Sequence, residues 1–252
     1  MNLKVMSFNL RVPNDKKDGI NTFENRKGNV LDAILREAPD LIGFQEAPDT
    51  TRAFLHEVLP RNYTLLGCGR KQNYRGETAP IAFRNDLFEL ISFDTFWLSS
   101  TPQVPGSLYE GSDQSTCPRI AFHAVLHAEG TNEPLHFYNT HLDHRGKGAR
   151  LLGMRDIIAH IKKDGGNFIL TGDMNAQPES DCIKEILALP NVVEATENIP
   201  ATFHFYGQYT TNSKIDYIFT TFKPLSAYAV EDKHENGIYI SDHFPIVSLI
   251  EI

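Results

Sequence analysis

The sequence predicts an α+β fold in which two sheets pack face to face with helices outside. Two patterns predict it: short apolar strands outnumber amphipathic helices, and the helices come in two batches instead of alternating with every strand. In addition, no GxGxxG follows the first strand, so a dinucleotide-binding parallel sheet has no support.

The elements follow in order. Leu3 to Phe8 reads as a strand ended by Asn9. Residues 24–37 read as a helix, with Val30, Leu31, Ile34, Leu35 and Ala38 at helical spacing and Pro39 as the stop. Leu41 to Glu46 is a buried strand ending in a carboxylate, and a short helix with Phe54 and Val58 on one side stops at Pro60. Ile81 to Phe83 and Leu87 to Trp97 suggest neighbouring strands joined by a turn at Asn85-Asp86. Beyond a Pro/Gly/Ser-rich loop over 99–118, Ile120 to Leu126 and Leu135 to Thr140 read as strands. Residues 148–163 form the clearest helix, its stripe being Leu151, Met154, Ile158 and Ile161, with Lys162 and Lys163 at its C-terminal dipole and Gly165 as cap. Phe168 to Leu170 is a buried strand, followed by a helix near 179–188. The last third is strand-rich: Ile215 to Phe219, Ala227 to Val230 and Pro245 to Ile250.

No tandem repeat or low-complexity linker marks a boundary, so one domain over residues 1–252 is expected. A 41% hydrophobic content is enough for a sizeable core. No apolar run reaches the ~18 residues of a membrane span, and the N-terminus lacks a signal-like apolar region, so no membrane association is expected. Cys68, Cys117 and Cys182 form neither a disulfide framework nor a metal knuckle, and inert thiols in the cytoplasm are the expectation. The net charge of −8 argues against a tight duplex binder or a processive nuclease, because nucleic-acid affinity rests on Lys and Arg. Nothing in the sequence bears on oligomeric state.

Polar residues stand where four strands end: Asn9, Glu46, the stretch His141 to His144, and Asp173. If these ends converge they make a cup of carboxylates, amides and imidazoles, the mixture a phosphoester hydrolase needs. Carboxylate oxygens suit Mg²⁺, a base positions water, and donors stabilise phosphoryl charge. Each residue also has a structural reading. Asn9 suits a turn and Asp173 an Asx-turn. Glu46, ending an apolar strand, needs a partner if buried. In His141-Leu142-Asp143-His144 an extended chain puts His141 and Asp143 on one face and His144 on the other. Zinc is an alternative there, although no HExxH accompanies it. Ser241-Asp242-His243 permits a Ser-His-Asp triad, although no GxSxG elbow accompanies it.

The ordered set Ser7-Phe8-Asn9, Gln45-Glu46, Asn139-Thr140-His141, Thr171-Gly172-Asp173-Met174-Asn175, Ile215-Asp216-Tyr217 and Ser241-Asp242-His243 resembles the endonuclease/exonuclease/phosphatase superfamily of deoxyribonuclease-I-like enzymes. The resemblance runs from residue 7 to residue 243 and implies a four-layer α/β/β/α sandwich with the site at one end of the sheets. It also implies Mg²⁺, with Mn²⁺ as substitute, held mainly by Glu46 with Asn9 and Asp242 in support. Asp173 resembles the residue that orients or deprotonates the attacking water, and Asn175 the amide that holds the water or a phosphate oxygen. His243 resembles an imidazole on the scissile phosphate, with Asp216 as its partner, and His141 a second such histidine. The chain departs at Arg11, where some nuclease members carry an acid. Arg119 stands where some members place a substrate-facing arginine.

Further features of the type Gly69-Arg70…Gly76-Glu77, Phe96-Trp97-Leu98-Ser99, His141-Leu142-Asp143-His144 and Thr202-Phe203-His204 resemble bacterial members related to Ccr4-type exonucleases and sugar-phosphate phosphatases. A small phosphorylated substrate is therefore expected, with Arg70, Lys71 and Arg75 available for an anionic group, His144 nearby, and Glu77 and Asp143 for sugar hydroxyls. The alternatives are a nuclease on single strands, with Tyr74, Phe203, Phe205 and Tyr206 stacking on bases, or a binding module that kept the fold without the chemistry.

Overall fold

Alternation of side chains along each strand sorts the apolar residues into three layers. The computed structural model describes residues 1–209, 213–230 and 237–252. Along β1 (Asn2–Asn9), Leu3 and Val5 join the central core while Met6 and Phe8 face the other way. The same two-residue period splits β7 (Leu135–His141) and β8 (Phe168–Asp173): Leu135, Phe137 and Ile169 point inward, Tyr138, Phe168 and Leu170 outward.

The first sheet has the order β11-β12-β1-β2-β4-β3, with β2 Leu41–Gln45, β3 Tyr63–Leu66, β4 Ile81–Arg84, β11 Lys223–Ala229 and β12 Ile246–Glu251. The second has the order β5-β6-β7-β8-β10-β9, with β5 Phe88–Trp97, β6 Ile120–Ala128, β9 Val193–Glu194 and β10 Asp216–Thr220. β1 and β2 pair in parallel, as do β7 and β8, while the other pairings are antiparallel. Both sheets are therefore mixed. Helices α2 (Phe23–Glu37) and α3 (Asp49–Val58) cover the first through Val30, Ala33, Ile34 and Leu55. Helices α4 (Lys147–Asp164) and α5 (Asp181–Leu187) cover the second through Met154, Ile157, Ile183 and Ile186. The result is the four-layer α/β/β/α sandwich expected. One short helix, α1 (Asp15–Asp18), follows β1. Among the described residues no helix is long and apolar enough to cross a membrane.

Two expectations are corrected. β4 and β5 are not a hairpin: the turn at Asn85-Asp86 carries the chain from one sheet to the other, so β4 pairs with β2 and β3 while β5 pairs with β6. Periodicity reports which face of a strand is apolar and says nothing about which strand lies beside it. Leu151 is only half-buried; α4 buries Ala149, Gly153 and Ile157 beside Met154 instead.

The sheets approach most closely near one end. A Cβ on Gly43 would collide with Thr171 Oγ1 and Asn139 Oδ1. Asn139 sits there fully buried. Its amide nitrogen donates to the carbonyls of Phe44 (2.7 Å) and Ala79 (2.8 Å), and its oxygen accepts from Gln45 Nε2 and Thr171 Oγ1, both at 2.9 Å. Gln45 Nε2 lies 3.2 Å from Ser7 Oγ. This polar clamp ties β1 and β2 to β7 and β8 one or two residues before Asn9, Glu46, His141 and Asp173.

Candidate active site

Past the clamp, the inward stripe of each strand turns from apolar to ionisable. Asn9, His141, Asp173 and Asp216 are each an even number of residues from an inward apolar residue of their own strand, so all four enter the gap between the sheets. Loops add Glu46, Asn175, Asp242 and His243. The structure brings these eight residues into one pit.

Glu46 lies just past β2 with φ at +56°, and Asn175 and Arg11 also have left-handed backbones. Such conformations cost non-glycine residues on the order of 1 kcal/mol or more and cluster at functional sites. At Asp173 the turn reading and the functional reading coexist: Oδ1 accepts the Asn175 N–H at 2.9 Å, and Oδ2 is left for the pit. There it accepts Asn9 Nδ2 at 2.9 Å and lies 3.5 Å from His141 Nε2 and 4.0 Å from His243 Nε2. Asn9 Nδ2 also reaches Glu46 Oε1 at 3.4 Å, while its oxygen accepts the Arg11 N–H. Asn9 thus orients two carboxylates through its nitrogen. Glu46 Oε2 accepts the Val12 N–H at 2.6 Å.

His243 Nδ1 is 2.8 Å from Asp216 Oδ2, and its Nε2 faces Asp173 and Asp242, 4.0 Å from each. The Asn175 amide nitrogen lies 2.9 Å from His141 Nε2 and 3.1 Å from the Leu142 carbonyl. An amide N–H donates, so His141 carries its proton on Nδ1, a buried atom with no hydrogen-bond partner.

Burial and charge set the protonation states. Burial lifts Asp173, and the neighbouring Asp216 charge lifts it further, to about 7. Burial likewise raises Asp242. Burial opposes charge on His243, but attraction and hydrogen bonding to Asp216 prevail and lift it to about 10. Burial, aided by Arg119 and Arg70, holds His141 well below the usual histidine value. Burial penalises Glu46, yet the Val12 N–H, His243 and Arg11 together bring it below the ordinary carboxylate range.

Beside His141 runs a wall of mixed charge. Arg70 pairs with Glu77 at 2.6 Å, and Glu77 Oε1 is 3.8 Å from His141 Nδ1. Arg119 is buried, donates to His144 Nδ1 at 2.9 Å, and leaves Nε and Nη1 without hydrogen-bond partners. Phe203 closes the other side, its ring 4.9 Å from that of His243 and its backbone bridged to it.

Three expectations change. Asp143 does not present free oxygens: they accept the Ser115 hydroxyl and the N–H groups of Ser115, Arg145 and Gly146, so it holds the loop around His144. Lys71 and Arg75 do not join Arg70 as one anion site, because Lys71 is exposed and Arg75 pairs with Asp49 at 2.9 Å. Tyr206, expected among the base-stacking rings, is buried, whereas Tyr74 packs edge-on against Trp97 and stays half-exposed. One residue escaped the sequence reading. Fully buried Arg26 donates to the carbonyls of Leu10 (2.6 Å), Arg11 (2.6 Å) and Ile240 (3.1 Å), pinning the loop that follows Asn9 to the loop that carries Asp242. Its signal was a cation on the apolar stripe of α2, four residues before Val30. Arg11 Nη1 lies 3.5 Å from Asp242 Oδ2 while the same guanidinium holds Asp18.

The donor set fits a hard divalent cation. Glu46, Asp173 and Asp242 crowd buried oxygens together, with two of the three carboxylates raised in pKa, and Asp216 Oδ1 lacks a hydrogen-bond partner. Glu46, His141 and Asp173 each offer an atom within 4.8 Å of the others.

A sandwich with this pit between its sheets defines a hydrolase of ester bonds in the metal-dependent phosphoesterase class. The chain belongs to the endonuclease/exonuclease/phosphatase family, whose model matches residues 6–243. Among solved structures it is similar to a family member from Bacteroides vulgatus (29% identity, 100% of this chain and 99% of that one, TM-score 0.91). It is also similar to a mannosyl-6-phosphatase from Bacteroides thetaiotaomicron (26% identity, 99% and 100% covered, TM-score 0.88). The fold extends to D. rerio TDP2 complexed with single-strand DNA product (18% identity, 100% and 99% covered, TM-score 0.77).

Proposed function

We propose that this chain is a Mg²⁺-dependent phosphomonoester hydrolase acting on a small phosphorylated substrate such as a sugar phosphate. One observation carries the reading: buried donors without hydrogen-bond partners, His141 Nδ1 (3.8 Å from Glu77 Oε1) and Arg119 Nε (3.7 Å from Asp143 Oδ2) and Nη1, stand beside a crowd of buried carboxylates. Leaving such groups unmade costs about 1–3 kcal/mol each, and a phosphate together with a cation answers both deficits. Glu46 and Asp242 would hold the ion. The ion supplies Lewis-acid charge for the phosphoryl oxygens.

Asp173, held by Asn9 and the Asn175 N–H, takes the proton of the attacking water through Oδ2. Protonated His243, fixed by Asp216, directs Nε2–H at the phosphate, and His141 directs Nδ1–H there. Asn175 keeps His141 in that tautomer. Arg70, Glu77, Arg119 and His144 line the side on which the leaving alcohol would lie. Paired acids and bases suit hydroxyl groups better than a run of phosphates, and the net charge of −8 agrees. The mannosyl-6-phosphatase relative supports the same substrate class.

The aromatic group of Phe203, Phe205 and Tyr209 beside His243 favours a second reading, cleavage at a single-stranded end with bases stacked there. A Mg²⁺-supplemented panel of sugar phosphates and single-stranded oligonucleotides, with Asp173→Ala as blank, separates the two. Phosphate release from a sugar phosphate with intact oligonucleotides is the expected result. Oligonucleotide cleavage with no monoester turnover would replace the first reading by the second.

A further inference from the structure

A second group of metal-ligating side chains lies away from the pit. We infer that His123, His136 and Asp164 form a second divalent-ion site, suited to a borderline transition-metal ion such as Zn²⁺, on the helix-covered face of the second sheet. Each of the three offers an atom within 4.8 Å of the other two. His123 comes from β6, His136 from β7 and Asp164 from the last residue of α4. His136 lies five residues before His141 on β7, so it is about 16 Å from the pit and on the opposite face.

The two imidazoles approach to 2.9 Å (His123 Nε2 to His136 Nδ1), and His123 Nδ1 lies 3.5 Å from Asp164 Oδ2. The surroundings resemble a built second shell. Tyr138 Oη donates to Asp164 Oδ2 at 2.7 Å, and the Tyr138 ring stacks on His123 at 4.1 Å, fixing the imidazole plane. The C-terminus of α4 directs its negative dipole end at the same place, which favours a cation. Among the described residues no hydrogen bond reaches His136 Nε2, and the Gly165-Gly166 turn passes beside it without a side chain to cover it. Two nitrogens and one carboxylate make the donor mixture Zn²⁺ takes, with water completing the shell.

Protonation agrees. Burial, partly opposed by Asp164, lowers His123 to about 4, and burial lowers His136. Both rings are therefore neutral at neutral pH, and an ion held by both would replace the hydrogen bond that joins them. Asp94 and His160 are the other titratable groups that act on His123.

The test uses the full chain. Crystals grown with Zn²⁺ would be examined by anomalous scattering at the zinc edge, and bound Zn²⁺ counted in solution by competition with a chromogenic chelator. The expected result is one peak in the pit and one between His123, His136 and Asp164, with ligands at about 2.0–2.2 Å. His136→Gln should lose the second peak and one equivalent in solution while keeping Mg²⁺-supported hydrolysis. The half-exposed Asp164→Asn repeats the comparison with little threat to folding. The inference is overturned if wild-type protein shows no peak at the trio, or if both variants keep it and the full stoichiometry. Loss of hydrolysis with the trio still binding zinc would count against the proposed function and not against this site.

Discussion

Replacing Asn139 by leucine tests whether the inter-sheet clamp positions the site. Asn139 is fully buried and makes four hydrogen bonds of 2.7–2.9 Å, two as donor and two as acceptor. Leucine has the same branching and the same number of side-chain heavy atoms, so the change leaves no cavity, and the extra bulk of its methyl groups adds to the polar loss. Each bond is worth about 1 kcal/mol net, and partners stranded in the interior add about 1–3 kcal/mol. The expected loss is about 5 kcal/mol, a large part of a typical stability of about 5–15 kcal/mol. Urea unfolding followed by the fluorescence of Trp97, the only tryptophan, measures it. Turnover should fall as well, by about tenfold or more, because displacing reacting groups by about 1 Å can cost a factor of 10². Glu46 follows the clamp residue Gln45 directly, and His141 and Asp173 lie two residues beyond Asn139 and Thr171. A loss below about 1 kcal/mol with kcat unchanged would refute the idea that the clamp registers the two halves of the pit.

Further outcomes are expected. Asp173→Ala and His243→Ala should each lower kcat by about 10²-fold or more in a phosphate-release assay; near wild-type turnover in either would remove its assigned role. Chelation should abolish hydrolysis and added Mg²⁺ or Mn²⁺ restore it, whereas activity persisting in exhaustively chelated protein would contradict the carboxylate-held ion. Gly43→Ala should destabilise by about 1–3 kcal/mol in the same unfolding assay, because its Cβ meets Thr171 and Asn139; an unchanged midpoint would mean that the sheets can move apart freely. Stability should also depend on pH through His123, which burial holds at about 4 against an ordinary 6.5. Between those values the unfolded chain binds more protons than the native one. The native protein therefore keeps this contribution fully above pH 6.5 and loses it as pH falls towards 4, by on the order of 3 kcal/mol in total. Unfolding midpoints at pH 7, 6 and 5, compared with His123→Asn in the presence of chelator, read the difference; parallel pH profiles for the two proteins would refute it.

Much of the fold and the site was legible because two signals are local. Inward stripes such as Leu3-Val5-Ser7-Asn9 and Phe137-Asn139-His141 show the face of a strand and the residue at which it turns polar. The ordered motif pieces carry the family resemblance because each keeps its chemistry within a few residues. The crossing between β4 and β5 was not legible, since a short turn looks the same whether it returns the chain to its own sheet or passes it to the facing one. Asp143 and Asp173 illustrate the same limit at the site. Both are acids at or just past a strand end, yet one spends its oxygens on Ser115, Arg145 and Gly146 while the other keeps Oδ2 for the pit.

The sequence by itself determined which side chains are available, which strand faces they occupy and which family they match, since these follow from covalent order and the two-residue period of a strand. Only the tertiary structure decided that Asn9 and Asp173, 164 residues apart, share a hydrogen bond. It also turned Arg26 into a bolt between loops and set His123 against His136 and Asp164. Hydrogen bonds and ion pairs act over about 3–4 Å, and distance in space is a property that chain order does not carry.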